Sequence, residues 1–237
     1  MSSIDPKDLL AAGAHFGHKT SNWHPKMAPY IYGVRGDVHI IDLVKTAPLL
    51  EEALDAIVQT VSEGKQVMLV GTKRQAIELI RDSAESIKQP YVVERWLGGM
   101  LTNWQTMTER IKRLKKLEEQ MESGELESKY NKLEVQRYQE EIDRLNHIFG
   151  GVRDMGGMPG IVFVVDIRNE ETAIKEAKKL GIPVIGIADT NVDPSVVDFP
   201  VPANDDAIKT IAFILEKITE AVKTGKSQIK STDTEEK

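Results

Sequence analysis

Cysteine is absent from the 237 residues, so neither disulfides nor thiolate metal sites hold this chain together. A reducing, intracellular setting is compatible with that absence. No apolar stretch approaches the length of a membrane span, and Asp5 and Asp8 stand where a secretory signal would need a basic region followed by an apolar run. The chain is therefore read as soluble and cytoplasmic, with no membrane partner. Neither a Gly-x-Gly-x-x-Gly fingerprint nor a Walker-type loop occurs, which argues against bound nucleotide. Aromatic residues make up 5% of the chain, and positive charge is in deficit, with a formal net charge of -6. Taken alone, that balance speaks against nucleic-acid binding, because neutralising phosphates needs local positive charge.

The distribution of charge changes that inference. Across residues 95–116 the charged side chains are Arg95, Arg110, Lys112, Arg113, Lys115 and Lys116 against Glu109 alone, while acidic residues gather further on. One basic region on an acidic body points to a directed contact rather than a generally adhesive surface.

The length suits a single α/β domain with an insertion. Short apolar runs alternate with helical patterns, the signature of a parallel sheet with crossover helices. Val38-His39-Ile40-Ile41, residues 66–70, 91–93, 161–165 and 183–187 read as strands, with an edge strand near 199–201. Helical spacing of apolar residues covers 45–61, 74–87, 170–180 and 205–222. Thr72 with Gln75 has the form of a capping box, and Asn169 and Asn204 precede acidic first turns. Gly64 and Gly181 stand where helices should stop. Residues 1–104 and 150–226 thus make one discontinuous domain. Residues 105–149 form an inserted antiparallel helical hairpin, with Ile111, Leu114, Leu117 and Met121 facing Leu133, Tyr138, Ile142 and Leu145 across a turn near Ser123-Gly124. Residues 227–237 form a flexible charged tail.

Two glycine-rich blocks flank the insertion: Arg95-Trp96-Leu97-Gly98-Gly99-Met100-Leu101-Thr102-Asn103-Trp104, and residues 150–160 with Gly150-Gly151, Arg153 and Gly156-Gly157. The glycines could let phosphate oxygens approach the main chain, or could be hinges where the insertion leaves and rejoins the body. Trp96 and Trp104 could stack on bases if exposed or anchor the insertion if buried, and burial is expected of at least one. Gly71-Thr72-Lys73-Arg74 follows a strand and opens a helix, so its amides and cations face the ligand-binding edge of the sheet. His15, His18 and His24 cluster near the start of the chain. A divalent metal would need further ligands beside His18, and Asp189 and Asp205 stand at sheet-edge positions to supply them. No nucleophile with a matched base can be assembled, so no catalytic residue is assigned.

Taken together, the chain resembles the bacterial small-subunit ribosomal protein two (S-two) family. The likeness rests on His15-Phe16-Gly17-His18, Pro25-Lys26-Met27, Val70-Gly71-Thr72-Lys73-Arg74, the first glycine block, Gly150-Gly151, Asp154-Met155-Gly156-Gly157, Asp189-Thr190-Asn191 and Asn204-Asp205-Asp206-Ala207, and runs nearly end to end. It implies a flavodoxin-like three-layer α/β/α body with a parallel sheet and a protruding coiled-coil hairpin. It further implies a structural constituent of the small ribosomal subunit, bound to rRNA, without catalytic activity or a required cofactor. Family members also help dock neighbouring small-subunit proteins, including the large first one that recruits mRNA. Carried onto this chain, the rRNA-facing residues are Lys73, Arg74, Arg95, Trp104, Arg110, Lys112, Arg113 and Arg153. The chain departs from the family's usual pattern at Ser21-Asn22, His24, Val192, Ser195-Val196 and Ala203. Because such a fold hosts many chemistries, the competing readings are a nucleotide- or sugar-phosphate-binding α/β enzyme and a protein-interaction scaffold.

Overall fold

The computed structural model describes residues 3–235, with side chains through residue 229. Helix α1 (Pro6–Ala12) is capped by Asp5, whose carboxylate accepts from the Lys7 amide. Strands β1 (Phe16–Lys19), β2 (Ile31–Arg35) and β3 (Val38–Ile41) then build a separate antiparallel sheet in the order β1-β3-β2. Residues 38–41, expected among the parallel strands, belong here instead. The cause is local: Gly36 and Asp37 both adopt positive φ, 56° and 62°, the turn geometry whose twist joins antiparallel neighbours through a two-residue loop.

Helix α2 (Leu43–Ser62) leads to β4 (Val67–Val70), and α3 (Ile77–Ile87) leads to β5 (Tyr91–Val92). The insertion follows as α4 (Trp104–Glu122), α5 (Glu125–Lys129) and α6 (Lys132–Phe149). Strand β6 (Ile161–Val164), helix α7 (Glu171–Lys179), strands β7 (Val184–Ala188) and β8 (Phe199–Pro202), and helix α8 (Ile208–Glu235) complete the chain. The residues expected as a flexible tail continue α8 as far as Glu235, and Glu236 and Lys237 lie outside the described residues.

Strands β4 to β8 are all parallel, in the order β5-β4-β6-β7-β8. Counted in chain order within this sheet, that is 2-1-3-4-5, the flavodoxin-like winding. The expected α/β class is therefore present. Strands β4, β6 and β7 are buried at every position, yet the two-residue period of a strand still sorts their side chains between two cores. Val67, Leu69, Ile161, Phe163, Ile185 and Ile187 pack with α2, α3 and α8 on one face. Met68, Val70, Val162, Val164, Val184 and Ala188 pack on the other with α7 and the insertion. Each such side chain contributes about 1.5–3 kcal/mol on burial, so a sheet covered on both faces needs helices on both.

Helix ends follow the sequence in part. Gly64 and Gly181 stop their helices at φ 77° and 70° as expected, and Asn204 accepts from the Asp206 and Ala207 amides. Thr72 does not form a capping box with Gln75; its amide and hydroxyl both donate to Glu170, and α3 starts at Ile77 without a side-chain cap. Ahead of α7 it is Asp166, not Asn169, that accepts from the Arg168 and Asn169 amides.

Within the insertion, Ile111, Leu114, Leu117, Ile142 and Leu145 are buried as expected. The second arm of the hairpin is not one unbroken helix, however. Tyr130 is extended, and Asn131 starts α6 with a capping box to Glu134. That break turns Leu133 outward to 60% exposure, while Leu126 of α5 is buried at 3%.

Candidate nucleic-acid interface

In a sheet of this winding, ligands bind outside the carboxyl ends of the strands that flank the switch in strand order, here β4 and β6. This chain fills that crevice with its own groups. Lys73, just past β4, places Nζ 2.6 Å from Asp205, 2.8 Å from Asp206 and 3.2 Å from Asp166. Beside it, Thr72 is tied by amide and hydroxyl to Glu170 at 2.9 and 2.7 Å. From β1, His18 brings Nδ1 to 3.0 Å from Asp189 and Nε2 to 3.7 Å from Asp206. Its amide donates to the Thr190 hydroxyl at 2.8 Å.

Carboxylates outnumber cations in this cluster, and the proton affinities follow. Burial, reinforced by the charges of Asp189 and Asp166, pushes Asp205 up to about 7 against the pull of Lys73. The hydrogen bond to Asp189 raises His18 above its ordinary value in spite of partial burial. Burial works to lower Lys73, but its bonds to Asp205 and Asp206 and the charge of Asp166 outweigh it and hold the ammonium charged.

The three residues named as metal ligands are thus brought together, with the Lys73 ammonium seated on Asp205 where a cation would sit. Among the described residues, no group of three or more His, Cys, Asp or Glu side chains has the geometry to hold a metal ion. The cluster is an internal clasp joining β1, the β4 edge and the start of α8. A phosphate-binding site would need the Thr72 amide free, and Glu170 holds it.

The first glycine block is organised around Glu176, a carboxylate that the sequence patterns above do not single out. Glu176 lies on the inner side of α7 and is 8% exposed. It accepts from Trp96 Nε1 at 3.2 Å, the Gly99, Leu101 and Thr102 amides at 2.6, 3.0 and 3.1 Å, and the Thr102 hydroxyl at 3.1 Å. Gly99 has φ 89°, a conformation that other residues adopt only with strain. Converging amides of this kind make an anion nest, and here the anion is the protein's own. Burial alone would raise Glu176, but the donated bonds dominate and leave it below the usual carboxylate value. A signal existed in the sequence: Glu176 falls at helical spacing from Ala173, on the apolar stripe with Ala177, where a charge is out of place unless paired. Trp96 is buried, as expected for at least one tryptophan, and Trp104 is half-buried against the same core.

The second block makes two close approaches: a Cβ on Gly151 would collide with the Tyr91 carbonyl oxygen and ring, and one on Gly160 with the Thr60 and Lys65 side chains, while Gly150, Gly156 and Gly157 face open space.

The cations expected to face RNA divide into two groups. Arg74, Arg95, Arg110 and Lys112 are exposed and without an ion pair among the described residues. Lys73, by contrast, is held in the clasp. Arg113 is bidentate to Glu141 at 2.8 and 3.0 Å, and Arg153 lies 3.0 Å from Glu118.

The chain matches the family model described as ribosomal protein S2 over residues 9–225. It is 52% identical over 215 residues to the small ribosomal subunit protein uS2 of Xanthobacter autotrophicus, a match covering 91% of this chain and 64% of that protein's length. The uS2 protein of Rhizorhabdus wittichii is 52% identical over 223 residues, covering 94% and 88%. That of Rhizobium leguminosarum bv. trifolii is 50% identical over 217 residues, covering 91% and 84%.

Proposed function

The chain belongs to the ribosomal protein S2 family, and from that we propose that it is a structural constituent of the small ribosomal subunit, holding folded rRNA through its exposed cations. The supporting observation within the molecule is the set of unpaired cations Arg74, Arg95, Arg110 and Lys112 on a chain of net charge -6. Phosphate contacts position a protein on RNA while RNA shape supplies specificity, and this arrangement suits that division. Arg113 and Arg153 can join the contact by exchanging their carboxylate partners for phosphate. Lys73 acts inside the protein in this reading, and Trp104 supports the start of α4. The role is non-enzymatic, consistent with a switch-point crevice filled by Lys73, Thr72 and Glu170. Neighbouring small-subunit proteins, including the large mRNA-recruiting first one, are its protein partners, and the cytoplasmic ribosome is its place of action.

Sedimentation of a cell extract through sucrose tests this. The chain is expected in the small-subunit and full-ribosome fractions at moderate salt and released as salt rises. Arg110→Ala combined with Lys112→Ala should weaken binding to small subunits and lower the salt slope by about 0.7–0.9 for each phosphate no longer neutralised. Recovery only among free proteins sinks the ribosomal reading, and an unchanged slope in the double variant removes α4 from the RNA interface.

A further inference from the structure

We propose that Glu176 is a positioning residue: its buried carboxylate, gripped by the loop of residues 96–102, sets the angle at which the helical insertion stands on the α/β body. The loop ends two residues before α4 begins at Trp104, so whatever orients the loop orients the helix. Helix α4 has 19 residues and is about 28 Å long at 1.5 Å per residue, so a tilt of about 10° at its start moves its far end by about 5 Å. Arg110 and Lys112 ride on this helix.

Apolar packing of Met107, Ile111 and Phe149 also seats the insertion on the sheet, but it is non-directional, and the other polar fasteners between the insertion and its surroundings are weaker in kind. Lys115 with Asp154, His147 with Glu94, and Arg153 with Glu118 are ion pairs in which at least one side chain is 36% exposed or more. Such pairs contribute about 0–1 kcal/mol each. Glu176 instead accepts five bonds while itself only 8% exposed. Both of its oxygens are used: Oε1 by Trp96 and Gly99, Oε2 by Leu101 and by both donors of Thr102. An isosteric amide cannot substitute. Glu176→Gln keeps one acceptor oxygen and turns an NH2 donor toward two or three N–H and O–H donors, leaving them unsatisfied.

The absence of cysteine makes the test direct. Spin labels on Glu52→Cys in α2 and Glu119→Cys in α4, both exposed positions, report the distance from body to insertion by double electron–electron resonance on the full chain. The native background is expected to give one narrow distribution, and Glu176→Gln a broadened or displaced one with cooperative unfolding retained. Binding to small subunits lacking this protein should fall about tenfold if the loosened insertion holds the binding-competent orientation about a tenth of the time. This second readout rests on the rRNA reading above, whereas the distance does not. An unchanged distribution in folded Glu176→Gln overturns the proposal whatever the binding result. A changed distribution in a protein whose native form fails to bind small subunits overturns the ribosomal reading alone. Should Glu176→Gln not fold, Thr102→Val, which removes only the hydroxyl bond, carries the measurement. It is expected to broaden the distribution less, and no broadening overturns the proposal.

Discussion

Gly151 sits so close to Tyr91 that one added carbon must displace either the strand end or the turn after α6. Gly151→Ala is expected to destabilise by about 1–3 kcal/mol, the range for overpacking a filled site. The change should appear as a lower urea midpoint with an unchanged slope. Gly156→Ala, with open space around it, serves as the control, and equal midpoints for the two variants would show that the turn gives way freely. The same residue scale explains why Glu176 stayed hidden in the sequence. All five groups it binds belong to the loop of residues 96–102, whose shape is invisible in the letters, and three of them are backbone amides that every residue type except proline carries. Burial of at least one of Trp96 and Trp104 was legible, because so large an apolar ring is costly to leave in water, but not that it would be Trp96. Its bond to Glu176, 80 residues away, was not legible.

At the scale of elements, the parallel strands β4, β6 and β7 were readable because unbroken apolar runs bounded by turn residues have few other uses. Strands β1 and β2 were missed. Phe16–Lys19 and Ile31–Arg35 each contain a glycine and leave most residues half or fully exposed, so no clean alternation marks them. Helical spacing in the insertion correctly chose Ile142 and Leu145 but also chose Leu133, since periodicity cannot see the extended residue Tyr130 that resets the phase of the next helix. The resulting prediction is a contrast: Leu126→Ala should cost about 2–5 kcal/mol, and Leu133→Ala less than about 0.5 kcal/mol. Both are measurable by chemical denaturation, and a reversed order would mean that Leu133, not Leu126, packs on the seam.

Across the whole molecule, the clasp of Lys73, His18 and four aspartates fastens the start of the chain to the sheet edge and to the start of α8. His18 and Asp205 are both raised in the folded state. A raised group stabilises the fold fully below its unfolded value, 6.5 for the imidazole and 3.8 for the carboxyl, and loses that contribution as pH rises through the folded value. For Asp205 the window closes at about 7. Stability should therefore decline as pH rises across that window, and Asp205→Asn should flatten the decline. Thermal midpoints with identical pH dependence in the two proteins would remove Asp205 as the source. By itself the sequence determined the α/β alternation, the interrupting helices, the basic stretch and the family, because these are carried by neighbours along the chain and by residue types in order. Which of the cations proposed to face RNA stay unpaired among the described residues, and which are consumed internally, only the tertiary structure decided. Lys73 is held by Asp205, 132 residues away, together with Asp166 and Asp206, and a count of charges cannot say which of them will meet once the chain folds.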